Sequence, residues 1–275
     1  MTHSLRLAVF GDPISHSLSP RIHGLFGRQL GIEVDYQAIR CREQELPEKL
    51  TALAAAGGIG ANLTLPLKPA GLRHCRQLDQ PARLARAVNT LMLSEQGWLG
   101  FNTDGPGLIL DLERQGFALN GARILILGAG GATAGILAPL LKQHPACITL
   151  LNRTPVRAAS LAERFAHLGP ISGHALTAKP QGPGHDLVIQ ATSLGHQGTM
   201  PELNAGWLQA TAKVYDLNYG AAHEPVARWA RDRGLAVSGG LGMLVGQAAL
   251  AFEIWTGRRP SISATLDRMA ETDLS

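Results

Sequence analysis

Long apolar runs are missing from this chain. No stretch approaches the ~20 consecutive apolar residues that a membrane-spanning helix requires. The apolar run near the start, Leu5 to Phe10, is too short for the core of a secretory signal and gives way at once to Gly11-Asp12-Pro13, so the cytoplasm is the expected location. Runs of like charge are missing as well. The 25 Lys+Arg barely exceed the 21 Asp+Glu, and no block of five or six like charges occurs, so neither a nucleic acid nor a membrane surface is an expected partner. A mild positive balance suits small anionic ligands equally well. Cysteine is scarce: Cys41, Cys75 and Cys147 are odd in number, far apart and never in Cys-x-x-Cys spacing. That pattern offers neither a disulfide framework nor a metal site, and the three read as reduced thiols acting as small buried hydrophobes. Internal repeats and low-complexity tracts are also absent.

What is present is a chain of 275 residues, 45% hydrophobic and 17% charged, a composition able to bury a sizeable core. The length suits two domains of about 100–150 residues. Short apolar runs alternate with amphipathic segments: strands at Leu5 to Phe10, Val34 to Ile39, Ile59 to Leu63 and Val88 to Leu93, and helices at Pro20 to Leu30, Gln44 to Ala56 and Asp104 to Arg114. In the first helix Ile22, Leu25, Phe26 and Leu30 share a face, with Ser19 as the expected N-cap and Pro20 at the first helical position. A second series runs through strands at Arg123 to Leu127, Ile148 to Leu151, Leu187 to Gln190 and Val214 to Leu217, with helices at about Ala132 to Leu141 and Pro155 to His167. Pro139 falls inside the former helix, where it removes a backbone donor. Lys179 to His185 and Gly195 to Pro201 read as loops, and after Gly239-Gly240 the tail is helical up to Gly257. Alternation of this kind predicts an α/β protein with mostly parallel sheets.

The segment Gly128-Ala129-Gly130-Gly131-Ala132-Thr133 follows a strand and opens a helix, the context in which a glycine motif signals a dinucleotide. The first glycine allows the tight turn, the second lets backbone approach a pyrophosphate, and the N–H groups at the helix start face the anion. Thr133 stands where a third glycine is common. About 20 residues on, a fold selective for NAD places a carboxylate on the ribose 2′-hydroxyl. This chain has Asn152-Arg153-Thr154 there, with Arg157 one helical turn later. Two guanidinium groups and no carboxylate favour the 2′-phosphate of NADP. A plainer reading, in which Thr154 only caps the next helix and Arg153 is a solvated surface charge, is compatible with that role.

Elsewhere Lys68 closes the stretch Gly60-Ala-Asn-Leu-Thr-Leu-Pro-Leu-Lys68, and Asp104 sits in Asn102-Thr-Asp-Gly105, just ahead of the nucleotide-binding series. An amine beside a carboxylate at the mouth of a cofactor site can move a proton while the cofactor moves a hydride. That pairing suits alcohol dehydrogenation without a metal.

Together with Gly11-Asp-Pro-Ile-Ser-His-Ser-Leu-Ser-Pro20, Ala87-Val-Asn-Thr90 and Gly240-Leu-Gly-Met-Leu-Val-Gly-Gln247, these stretches make the chain similar to the shikimate dehydrogenase family, in family order from residue 8 to about 256. The resemblance implies reversible, NADPH-dependent reduction of 3-dehydroshikimate to shikimate on the route to aromatic amino acids. It implies two domains: residues 1–104 with 241–275 as the substrate domain, and 105–240 as a Rossmann-type domain, closing on one another to exclude water. Carried over residue by residue, Ser17 and Ser19 hold the substrate carboxylate, and Asn62, Thr64, Lys68, Asn89, Asp104 and Gln247 surround the ring hydroxyls. Tyr219 approaches the carboxylate. Asn152, Arg153, Thr154 and Arg157 join the glycine loop around NADP, and Thr192, Leu217, Gly240 and Met243 line its nicotinamide side.

Bland roles stay open: Ser19 as a helix cap, Asn89 at a strand end, Gln247 on a buried helix face, and His16 as a structural neighbour of the serines. Lys68 is either a true acid–base group or chiefly a binding and electrostatic one, since burial lowers a lysine pKa and a carboxylate raises it. Phe101, Gln190 and Asn218 depart from commoner family forms. An enzyme for quinate or an amino analogue of shikimate would keep most of these residues, and a non-catalytic nucleotide or metabolite sensor could share the fold. The paired serines and the Asn-Arg-Thr run argue against quinate with NAD, and the retained Lys68 and Asp104 argue against a sensor. Monomer and homodimer remain equally open.

Overall fold

A computed structural model describes residues 4–273 of the chain. The chain forms two compact units: one holds the residues up to Leu108 together with those from Leu244 onward, the other Ile109–Met243. In chain order the elements of the first stretch are β1 (Leu5–Gly11), α1 (Ser19–Leu30), β2 (Val34–Arg40), α2 (Leu46–Ala55), β3 (Gly60–Leu63), β4 (Cys75–Leu78), α3 (Gln80–Ala85), β5 (Thr90–Ser94), β6 (Gly97–Phe101) and α4 (Asp104–Arg114). Then come β7 (Arg123–Leu127), α5 (Gly131–Leu141), β8 (Cys147–Asn152), α6 (Pro155–Phe165), β9 (Ile171–Ala175), β10 (His185–Gln190), β11 (Leu208–Asp216), α7 (Glu224–Arg231) and β12 (Ala236–Ser238), followed by α8 (Leu241–Thr256) and α9 (Ile262–Asp273). Each crossing between units lies inside an unbroken helix, α4 or α8, and not at the helix starts.

In the first unit the sheet order is β2-β1-β3-β5-β6-β4. β1 pairs in parallel with β2 and β3, but β5 is antiparallel to both β3 and β6. β4 is parallel to β6, so the sheet is mostly parallel as expected and β5 alone runs against the other strands. The cause is a tight hairpin in which Ser94 pairs with Gly97 and its Oγ donates to the Gly97 carbonyl at 2.7 Å. The strand expected from Val88 begins two residues later, because the Val88 and Asn89 amides bond to Lys68 and Phe101 carbonyls outside the ladder with β3. β1 is buried on both faces, as its continuous apolar run requires. Leu7 and Val9 pack with Tyr36, Ala251 and Trp255, while Ala8 and Phe10 pack with Leu46, Leu50, Leu53 and Leu63. Burying each of the larger side chains contributes about 2 kcal/mol. Ser19 is not the N-cap of α1. Leu18 is, without a side-chain cap bond, and the Ser17 hydroxyl accepts the Ser19 amide at 3.3 Å.

The second unit carries an all-parallel sheet in the order β12-β11-β10-β7-β8-β9. The chain winds outward from β7 in one direction and then, beginning with β10, in the other. This doubly wound order opens a crevice at the carboxyl ends of the strands where the winding reverses. Leu125 and Leu127 on β7, Leu151 on β8, Val188 on β10 and Val214 on β11 join Trp207 and Val226 in its core. Pro139 lies inside α5. Among the described residues no helix is long and apolar enough to cross a membrane.

Candidate active site

In the first unit, side chains from four segments meet at the ends of β3 and β5. After β3 the chain turns at Thr64, whose amide bonds to the Phe10 carbonyl and whose carbonyl accepts the Leu67 amide, and this turn delivers Lys68. Asp104 opens α4, with its backbone N–H capped by Asn102 Oδ1 at 3.1 Å, and Asn102 is itself held by donation to the Ala87 carbonyl at 2.9 Å. A carboxylate in the first turn suits the positive end of the helix dipole. Lys68 Nζ donates to Asp104 Oδ2 at 2.6 Å; the lysine side chain is 33% exposed and the aspartate 13%, so the pair is shielded but reachable. The second carboxylate oxygen, Oδ1, accepts Asn89 Nδ2 at 2.8 Å.

Asn89 is buried and its amide is committed on both sides. Oδ1 accepts the Thr103 amide and the Thr90 hydroxyl, each at 2.9 Å, while Nδ2 reaches Thr103 Oγ1 at 2.9 Å as well as Asp104. Asn62 supports it from β3, donating to the Asn89 carbonyl and to Thr90 Oγ1, both at 3.0 Å. Its own Oδ1 accepts the Tyr36 hydroxyl at 2.7 Å. Gln247 on α8 sits at the margin, with Oε1 3.4 Å from both Asn89 Nδ2 and Thr103 Oγ1, and its amide nitrogen donates to the Leu244 carbonyl. Ser17, Ser19 and Thr64 are partly buried in this unit, and the Ser19 side chain is a hydrogen-bond neighbour of Tyr36. Burial pushes the Tyr36 phenol far above its ordinary pKa and the neighbouring His23 imidazole down to about 3, so neither carries charge at neutral pH. Tyr219 belongs to the other unit, just after β11, where its ring is 37% exposed.

The second unit holds an open cleft of about 410 Å³ lined by Gly128 to Ala132, Asn152, Arg153, Thr154, Arg157 and Thr192, among others. Gly128 has φ of +107°, a conformation that favours glycine and produces the turn out of β7. Thr133 is fully buried and donates from Oγ1 to the Gly128 carbonyl at 2.9 Å, closing the loop in place of a third glycine. Asn152 ties the glycine loop to the end of β8, accepting the Ala129 amide and donating to the Thr154 carbonyl. A Cβ built on Gly130 or Gly131 would meet nothing within 4 Å, so the start of α5 faces open space. Thr154 is the N-cap residue of α6, but its hydroxyl makes no capping bond. Arg153 and Arg157 are exposed and form no ion pair among the described residues.

Leu217, Gly240 and Met243 lie outside the cleft lining. Gly240 donates to the Asn218 carbonyl at 2.8 Å, Leu217 bonds to the Gln190 carbonyl, and the Met243 amide reaches Tyr215. Two departures from common family forms converge on one residue: Gln190 Oε1 accepts the Thr192 amide at 2.6 Å, and Asn218 donates to the Thr192 carbonyl at 3.2 Å. Tyr36, Thr90, Asn102 and Thr103 belong to the network although sequence reasoning does not single them out. Thr103 lies inside the stretch Asn102-Thr-Asp-Gly105, so its signal is legible; Tyr36 sits at an inward position of β2 and reads as ordinary core.

Known proteins resemble this chain along most of its length. A family model described as the shikimate dehydrogenase substrate binding domain matches residues 9–91, one described as shikimate / quinate 5-dehydrogenase matches 111–197, and one described as the shikimate 5'-dehydrogenase C-terminal domain matches 240–269. A shikimate dehydrogenase (NADP(+)) of Aeromonas hydrophila subsp. hydrophila is 44% identical over 263 residues, covering 95% of this chain and 96% of that protein. Among solved structures, an Ael1 enzyme from Pseudomonas putida aligns with a TM-score of 0.89 at 36% identity over 96% of this chain and 98% of its own. Shikimate 5-dehydrogenase from Thermus thermophilus, in complex with NADP(H) and shikimate, aligns with a TM-score of 0.80 at 36% identity over 95% of this chain and 97% of its own. The chain belongs to the shikimate dehydrogenase family.

Proposed function

We propose that this protein is an NADP-dependent shikimate dehydrogenase that interconverts 3-dehydroshikimate and shikimate on the route to aromatic amino acids. The observation that carries the reading is the 2.6 Å contact between Lys68 Nζ and Asp104 Oδ2, with the other carboxylate oxygen held by buried Asn89. In this reading the first unit binds the ring acid and the second binds NADP(H). The second cleft fits that cofactor: open space at the start of α5 receives the pyrophosphate, and the uncommitted Arg153 and Arg157 suit a 2′-phosphate better than a bare ribose hydroxyl. The bound nicotinamide supplies or accepts the hydride at C3.

The chain's own residues handle the proton and the geometry. Lys68 Nζ delivers a proton to the C3 oxygen in reduction and receives one from the alcohol in oxidation. Asp104 Oδ2 holds the amine in place and also lies within reach of a ring hydroxyl. The Gln247 amide and the Thr64 hydroxyl present neutral donors and acceptors to the remaining hydroxyls, while Asn89, its amide committed within the protein, holds the Asp104 carboxylate toward the ring; an analogue lacking a hydroxyl leaves a polar group unmatched and is rejected. Ser17 and Ser19 offer the carboxylate hydroxyl donors without a full charge. Tyr219, Thr192, Leu217, Gly240 and Met243 complete the substrate and nicotinamide contacts on the second unit.

The test follows absorbance at 340 nm with purified protein, shikimate or quinate, and NADP or NAD. Loss of two guanidinium contacts predicts a preference for NADP over NAD of about a hundredfold in kcat/KM. Shikimate should be turned over far faster than quinate. NADPH binding without turnover of any ring hydroxy acid would replace this reading with that of a sensor.

A further inference from the structure

Asn62 presents an asymmetry. The Asn89 carbonyl can only accept, so the Asn62 amide nitrogen must face it, and the remaining side-chain oxygen necessarily faces Tyr36. The Tyr36 hydroxyl is therefore the donor in its 2.7 Å contact, and its lone pairs face the Ser19 side chain. Tyr36 is 9% exposed, and its ring is stacked on His23 with centroids 4.3 Å apart and planes within 6°. The phenol thus stands between the serine loop and the Asn62–Asn89–Asp104–Lys68 chain, each link of which is 3.0 Å or shorter.

We infer that Tyr36 is a positioning residue for ring recognition: its hydroxyl fixes the orientation of the Asn62 amide and so the presentation of Asn89 and Asp104. It makes no contact with the reacting atoms. Without the phenol hydroxyl, Asn62 Oδ1 loses its donor in a buried setting, leaving the amide held only by its bonds to the Asn89 carbonyl and Thr90 Oγ1, which loosens the support of Asn89. The nucleotide cleft draws all its lining from residues between 127 and 201, so its affinity is independent of this link.

The inference rests on the dehydrogenase reading, which wild-type turnover of shikimate tests by itself; only the variant tests Tyr36. Tyr36→Phe keeps the ring and its stack on His23. The expected result is a shikimate KM about tenfold higher, equivalent to about 1.4 kcal/mol, with the KM for NADP within about twofold of wild type. In an Asn62→Ala background, where there is no amide to orient, adding Tyr36→Phe should change the shikimate KM by less than about twofold. A full tenfold effect in that background, an unchanged KM in the single variant, or a parallel rise in both KM values would overturn the assignment. So would failure of Tyr36→Phe to fold, since an orienting hydroxyl leaves ring packing intact.

Discussion

Lys68 owes its place to backbone bonds made before it: the Thr64 amide is anchored to β1, and the Lys68 carbonyl accepts the Val88 amide at 2.8 Å. Truncating the side chain therefore removes the amine without disturbing the turn. Lys68→Ala should lower turnover by roughly 10²–10⁴-fold, the range general acid–base groups supply, with NADP affinity nearly intact. Steady-state kinetics with nucleotide binding by fluorescence checks both halves, and wild-type-like turnover would end the catalytic assignment. At this scale legibility followed chemical type. An ammonium and a carboxylate within short motifs announce themselves, as do Arg153 and Arg157 where an acid would otherwise stand. Tyr36 announces nothing, because an inward aromatic on a strand looks the same whether its hydroxyl is used or merely tolerated.

At the scale of elements, α8 reaches α4 through glycine. A Cβ on Gly107 would come within 2.5 Å of the Gln247 amide nitrogen, and one on Gly246 within 2.8 Å of the Gly107 carbonyl. Backbone against backbone at this crossing is what brings Gln247 beside Asn89 and Thr103. Gly107→Ala has no flexible neighbour to displace, so α8 must shift. The expected cost is about 1–3 kcal/mol, read as a fall of several degrees in Tm. The KM for shikimate should rise with it because Gln247 retreats; an unchanged KM would show that Gln247 does not read the ring. Helix α4 was legible because apolar positions recur at helical period, and α5 to within a residue because an apolar stretch of that length opened by a glycine loop is too long for a strand. The β5–β6 hairpin was not, since five-residue strands carry too little periodic signal and nothing local distinguishes parallel from antiparallel pairing.

For the whole molecule, acid stability depends on His23. Its imidazole is fully buried among Tyr36, Phe26, Phe252 and Trp255, and burial holds its pKa near 3 against 6.5 in the unfolded chain. Below pH 6.5 the unfolded state takes up a proton that the folded state refuses, so stability is fully present above that value and is lost as pH falls toward 3. Between pH 6.5 and 5 the loss from this group is about 2 kcal/mol. Urea unfolding of wild type and His23→Phe at pH 7 and pH 5 measures it: the variant should show the shallower dependence, and equal slopes would refute the role.

Residue types and their spacing along the chain determined the α/β class, the glycine loop, the choice of NADP over NAD and the pair proposed to handle the proton, because those follow from local periodicity, backbone stereochemistry and charge. Only the tertiary structure decided which buried amides orient that pair, how the first sheet mixes its strand directions and where the chain crosses between units. These depend on contacts between residues such as Tyr36 and Asn62, or Gly107 and Gln247, that lie far apart in the chain and meet only after folding.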